Sequence, residues 1–349
     1  MDHWPRVLAC GLATLDVVQT LERVPGANEK VVAQGLAVAA GGPAANAAVT
    51  CAALGVGVRL VTRVGGGALG AVVREDLAGA GVEVVDLADA AARPPVSTVL
   101  VTRATGERAV VSVNGTDGPG AGRGGGSGAA RVGPAPEVWD GVGVVLVDGH
   151  HLDLALAVAR EARARGVPVL LDGGSWKPGL EALLAVVDVA VVSADFVVPT
   201  DVVTPAEDAP AEAGSGGDQR VGTGPDERAP TDVCAVVSAL GPRVVARSAG
   251  GGPIEVLVAG DGRTRVPVPT VTVVDTLGAG DVLHGALAAW WASALVRGST
   301  SHVPDVVAGL TWAAEVASAS CAAPGARGWV ADETLVARLR DDLGRGPRA

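Results

Sequence analysis

The sequence predicts an α/β fold: a mainly parallel, doubly wound central sheet with a small second β-sheet, in a chain of 349 residues, a length that suits about two domains or one large one. Three observations predict it. Short Val- and Leu-rich runs alternate with Ala-rich stretches of helical length. Glycines close several of the helical stretches. Two segments, 17–40 and 96–114, break the rhythm with strand-like patches. Continuous apolar runs suit strands covered on both faces, as in a parallel sheet.

The elements follow in order. Residues 7–12 read as a strand, with Asp16 just beyond it. The Ala-rich run 43–54 reads as a helix behind Gly41-Gly42, stopped at Gly55. A strand at 58–64, a helix at 68–80 closed by Gly81 and a strand at 82–87 continue the alternation. Residues 98–102 and 108–113, joined through Thr105-Gly106, read as a hairpin that could form a small sheet over a cleft. Further on come strands at 142–147, 167–171, 189–192 and 244–246, and helices at 154–165, 180–187, 233–240, 282–296 and 306–319. Two breaker-rich stretches, 115–136 and 200–231, are expected to be mobile loops.

Composition excludes several classes. Hydrophobic residues make up 48% and charged residues 19%, enough for a sizeable core. A formal charge of −11 disfavours general nucleic-acid binding, which needs Lys and Arg against phosphate. The longest charge-free stretch, 31–58, is broken by Gly41-Gly42-Pro43, so no membrane span is expected. The first residues carry no basic leader followed by an apolar run, and a cytoplasmic location is expected. Cys10, Cys51, Cys234 and Cys321 are far apart and suggest neither a disulfide framework nor a zinc site.

The strongest chemical signal is Asp275-Thr-Leu-Gly-Ala-Gly-Asp281, running into the 282–296 helix. A small-residue turn at a helix N-terminus exposes backbone N–H groups, and these with the helix dipole stabilise an anion. Asp281 beside such a site suits alignment of a hydroxyl against a phosphoryl group; an acidic residue in a first helical turn is also an ordinary cap. Gly41-Gly42 with Asn46 permits close backbone approach to a ligand and offers an amide that both donates and accepts. Asp16 lies past a strand end, where open α/β sheets bind ligands.

Gly41-Gly42…Asn46 and the 275–281 motif together resemble the two signatures of the PfkB carbohydrate kinases, the ribokinase-like family. Val64-Gly65…Leu69-Gly70 and Cys321…Pro324-Gly325 fall at matching turns. The 148–151 and 281–285 motifs look most like the subgroup containing sulfofructose kinase. The resemblance implies a ribokinase-like three-layer α/β/α sandwich with a β lid, in a single kinase domain spanning 1–349. It implies transfer of the γ-phosphoryl of ATP to a sugar hydroxymethyl group, with Asp281 as base and Gly278, Ala279 and Gly280 as the anion hole. Asp16, Gly41, Gly42, Asn46 and His150 would hold the sugar. Arg247, Ser248, Gly250 and Gly325 would meet the nucleotide. Mg²⁺ would accompany ATP, with Asp195 near it through water, and K⁺ would sit near Asp275. The lid would serve as a homodimer interface.

The sequence also departs from the family. Ser193-Ala-Asp195-Phe196 stands where many members have Asn-x-x-Glu, and Ser248 replaces a glycine of the nucleotide loop. A nucleoside kinase of the same family and a catalytically silent sugar- or nucleotide-binding protein are the alternatives. The first would need a base-stacking pocket, and aromatic residues are only 2%.

Overall fold

The computed structural model describes residues 4–105, 107–113, 133–200, 202, 232–297 and 306–346. A nine-stranded sheet forms the centre. Seven strands are parallel: β1 (Arg6–Cys10), β4 (Val58–Thr62), β5 (Glu83–Asp86), β8 (Val142–Val147), β9 (Val169–Gly173), β10 (Val189–Val192) and β11 (Val244–Ala249). Two antiparallel strands, β12 (Gly252–Val258) and β13 (Gly262–Val266), extend one edge. The order is β13-β12-β11-β10-β9-β8-β1-β4-β5. The chain therefore builds outward from β1 one way through β4 and β5, then the other way from β8. The crevice at the carboxyl ends of β1 and β8 is the switch point where open α/β sheets take ligands.

Helices cover both faces. On one lie α1 (Pro43–Ala53), α2 (Gly67–Gly79), α6 (Ala279–Val296), α7 (Val306–Ser320) and α8 (Glu333–Arg345), joined in a core that includes Leu8's neighbour Val7, Ala47, Leu77, Leu287, Trp291 and Leu339. On the other lie α3 (Leu152–Ala164), α4 (Leu180–Leu184) and α5 (Val233–Ala239), packed through Val158, Leu183, Val237 and Phe196. The three-layer expectation holds. Alternate strand residues feed the two cores: Val7 and Ala9 face one, Leu8 and Cys10 the other. Gly285 explains how closely α1 and α6 approach, since a Cβ there would lie 2.4 Å from the Ala47 carbonyl oxygen. Trp290, Trp291 and Trp312 are core residues, and the four cysteines are unpaired.

The second sheet orders β3-β2-β6-β7: β2 (Thr14–Leu21), β3 (Gly35–Gly41), β6 (Val96–Thr102) and β7 (Arg108–Ser112). The hairpin read from 98–113 forms as expected. Some boundaries differ from the sequence reading. The lid begins at Thr14, so Asp16 is a lid-strand residue, and 22–34 contains no strand. Of the proposed loop 115–136, residues 115–132 lie outside the described residues, and Pro136–Trp139 forms a short 3-10 turn with Trp139 buried. Of 200–231, only 200 and 202 are described. The β12–β13 hairpin and α8 were not anticipated. Among the described residues, no helix is long and apolar enough to cross a membrane.

Candidate active site

The site is built where the switch point meets the start of α6. Gly278 caps α6 at φ 74°, a conformation that favours glycine, and a Cβ there would lie 2.5 Å from the Ala326 Cβ. The first helical bond runs from Val282 N–H to Gly278 O, and the Ala279 N–H donates to Thr276 O at 3.3 Å, so Gly278, Gly280 and Asp281 carry the amides left at the open helix end. Gly280 is exposed and Asp281 is half-buried in that first turn.

Asp281 does not stand alone. Asn46 Nδ2 donates to its Oδ2 at 2.7 Å, bringing together two residues 235 positions apart. Burial pushes the Asp281 carboxyl up to about 7, with help from the negative charges of Asp172 and Asp148; the Asn46 hydrogen bond and His284 oppose the rise. Behind it, His284 spans α6 and the sheet. Its Nδ1 lies 2.6 Å from Gly280 O and 3.3 Å from Asp172 Oδ2, and its Nε2 lies 3.0 Å from Val191 O. Burial also pushes Asp172 up, with His284 pulling it down.

A second carboxylate organises the crevice. Asp148, at the end of β8, is buried and accepts the N–H groups of Leu12 at 2.8 Å, His150 at 2.9 Å and Ala44 at 3.2 Å. One carboxylate thus ties together the ends of β1 and β8 and the start of α1. Glycine is required at position 11, because a Cβ there would fall 2.1 Å from Asp148 Oδ1. The same logic holds at the lid. A Cβ on Gly41 would fall 1.9 Å from Asp16 Oδ2, and Thr14 Oγ1 donates to Asp16 Oδ1 at 2.6 Å. Gly42, at φ 96°, caps α1.

His150 is half-buried beside Asp148, and burial pulls both it and Lys177 down in basicity. The remaining residues fall into two groups. Asp275 accepts N–H bonds from Leu277 at 2.8 Å and Gly325 at 2.9 Å, joining the two turns, while Arg108 from the lid lies 3.7 Å away. Arg247, Ser248 and Asp195 gather at the ends of β10 and β11: Arg247 Nη2 donates to Ala194 O at 2.5 Å and Ser248 Oγ to Val192 O at 3.4 Å. Gly250 turns into β12 at φ 55°, and Asp195 is exposed.

Reading along the chain missed Asp148 as a clamp and missed Asp172. It also missed Arg327, whose Nε donates to Asn46 Oδ1 at 3.2 Å. Asp172 lay in view at the end of a strand; Arg327 offered no local signal.

A family model for "pfkB family carbohydrate kinase" matches residues 5–195 and 223–331. The chain belongs to the PfkB family of carbohydrate kinases. The match spans the lid, the crevice and the α6 turn. An ATP-dependent ribose-1-phosphate kinase from Halopiger xanaduensis is 31% identical over 174 residues, which is 48% of this chain and 54% of that protein. The chain thus matches about half the length of that relative. Among solved structures, a candidate ribokinase from Agrobacterium tumefaciens superposes with a TM-score of 0.70 at 24% identity, covering 97% of this chain and 99% of that one. The Arabidopsis thaliana ribokinase complexed with ribose and ATP gives 0.65 at 22% identity, over 97% and 99%. The PfkB fold of this chain is therefore ribokinase-like.

Proposed function

We propose that this PfkB-family protein transfers the γ-phosphoryl group of ATP to a hydroxymethyl oxygen of a sugar or sugar derivative. The observation that carries the reading is Asp281, half-buried at an open helix start and tuned to about 7. The acceptor oxygen forms its bond to phosphorus as the bond to ADP breaks, and its proton passes to Asp281. An ordinary aspartate, near 3.9, is a weak base for an alcohol; one near 7 holds a proton better yet is still about half ionised at neutral pH. Gly278, Ala279 and Gly280 are the proposed anion hole: the Gly278 and Gly280 amides meet the charge on the transferring group as fixed dipoles, and the Ala279 N–H joins them by exchanging its 3.3 Å contact with Thr276 O.

Asp16, Gly41, Gly42, Asn46 and His150 are the proposed sugar contacts. Arg247, Ser248, Gly250 and Gly325 are the proposed nucleotide contacts. Mg²⁺ on the triphosphate would neutralise charge as the phosphoryl group moves. Among the described residues no group of three or more His, Cys, Asp or Glu could hold a metal, so the ion is expected to arrive with the nucleotide, with Asp195 at most a water-mediated contact. K⁺ at Asp275 is the proposed monovalent-cation contact: each carboxylate oxygen accepts one N–H and keeps a further lone pair, and the ion would compete with Arg108, 3.7 Å away. A homodimer through the lid fits its outward apolar residues Leu36, Val38 and Val111.

The test is ADP release with Mg-ATP across ketoses, aldoses, sugar phosphates including ribose 1-phosphate, sulfosugars and nucleosides. Sugar-dependent release is expected. Release with nucleosides alone would favour the nucleoside-kinase reading. Binding of sugar or ATP without any release would make the protein a silent binder.

A further inference from the structure

Arg327 lies between α7 and α8, just ahead of the 3-10 turn Gly328–Ala331, and is partly buried. Its Nη1 donates to Asp76 Oδ2 on α2 at 2.7 Å, and its Nε to Asn46 Oδ1 on α1 at 3.2 Å. The same Asp76 oxygen accepts the Ala40 N–H at 2.9 Å, from the lid strand β3 just before Gly41. Asn46 completes the chain by donating to Asp281. Hydrogen bonds therefore run without a break from the root of the lid to the carboxylate: Ala40, Asp76, Arg327, Asn46, Asp281.

We propose that Arg327 is a positioning residue, acting through Asn46 on Asp281. The two ends of an amide are nearly alike in shape, so packing alone holds its orientation weakly. Here charge decides it. A guanidinium only donates and an ionised carboxylate only accepts. Only one orientation satisfies both neighbours: oxygen toward Arg327, N–H toward Asp281. Without the guanidinium the amide is free to turn, and its oxygen facing Asp281 would repel the carboxylate. The amide donor favours ionised Asp281, so losing it makes the carboxylate hold its proton to higher pH. The other groups acting on Asp281 are Asp172, Asp148 and His284, and the substitution leaves all three in place. Asp76 extends the restraint to the lid, so lid position and amide orientation are coupled.

The proposal rests on Asp281 as the base only for its kinetic consequence. The experiment compares the full-length protein with Arg327→Gln, Arg327→Lys and Asp76→Asn. The acidic limb of kcat is measured, and the Asp281 carboxyl is titrated by ¹³C NMR, with Asp281→Asn identifying its signal. Arg327→Gln is expected to move both midpoints up by roughly one pH unit, which lowers kcat at pH 7 by about fivefold, with the sugar KM within about threefold. Arg327→Lys keeps a donor and a charge and falls between. Asp76→Asn, which loosens Arg327 from its far side, shifts the carboxyl in the same direction by less. A folded Arg327→Gln protein with an unmoved carboxyl titration overturns the proposal. If Arg327→Gln does not fold, an unmoved titration in both Arg327→Lys and Asp76→Asn overturns it. A shifted titration together with undiminished turnover in Asp281→Asn keeps the Arg327 link and rejects Asp281 as the base.

Discussion

Helices α1 and α6 pack against each other and begin with the same device: a glycine at positive φ, with no side-chain cap. They differ in what meets their amides. At α1 the protein supplies its own anion, for the buried Asp148 carboxylate accepts the Ala44 N–H together with the loop amide of Leu12. At α6 the Ala279 N–H meets only the Thr276 carbonyl at 3.3 Å, Gly280 is exposed, and the nearby carboxylate of Asp281 is bonded to Asn46 instead. A helix start with a built-in counter-ion is a structural joint. One without it is available to a phosphoryl group. A glycine-rich helix start alone does not distinguish the two.

The largest expected effect separates chemistry from framework. Asp281→Asn should lower kcat by about 10²–10⁴-fold, the usual worth of a general base, while sugar affinity stays within a few-fold. Steady-state kinetics with calorimetric binding checks this. Near-normal turnover would reduce α6 to a second structural joint. Asp148→Asn should act mainly on stability. Losing the charge from a buried acceptor of three N–H groups should cost about 1.5–3 kcal/mol, measured by denaturant unfolding. A stable protein with lost activity would place Asp148 on the catalytic side.

Asp16→Ala should weaken sugar binding by about 10- to 100-fold through loss of a charge-assisted hydrogen bond, with the smaller change in kcat. Unchanged sugar affinity would remove Asp16 from the site. The pH dependence is a finer test. Asp281 accepts a proton only when ionised, so kcat should fall as pH drops through about 7. Asp172→Asn removes a like charge that pushes Asp281 up, so its limb should move to lower pH. A limb unmoved by that change would mean another group titrates. The smallest effect concerns potassium. With Arg108 beside Asp275, replacing Na⁺ by K⁺ should change kcat less than twofold, and Arg108→Gln should increase the response. A strong potassium response in the unaltered protein would show that Arg108 yields to the ion.

Much of the fold was legible because its signals are local. Buried parallel strands are continuous apolar runs, and their alternation with helices reads as a parallel sheet, although the order β13-β12-β11-β10-β9-β8-β1-β4-β5 came only from the structure. The β12–β13 hairpin escaped because its outer strand, Gly262–Val266, is exposed at four of five positions and has one apolar side chain, Val266, beside two arginines, so it carries little apolar signal. Helix α8 escaped although Val336, Leu339 and Leu343 recur at helical spacing behind the Asp332 cap, in a segment whose polar residues dominate the eye. Asp16 was recognised but placed outside the lid, because the turn after β1 is only three residues long before β2 begins.

What the sequence by itself determined is the repertoire: the turn at 278–280, the Gly41-Gly42 pair, the carboxylates, the family resemblance. Those are properties of neighbouring residues, and backbone chemistry acts over a few positions. What only the tertiary structure decided is which group answers which. Asn46 meets Asp281 across 235 positions, Arg327 meets Asn46 across 281, and Asp148 fills the start of α1 from 104 positions away. The physical reason is that burial and nearby charge set a carboxylate's proton affinity. Both depend on what packs around it, and packing joins residues that the chain keeps far apart.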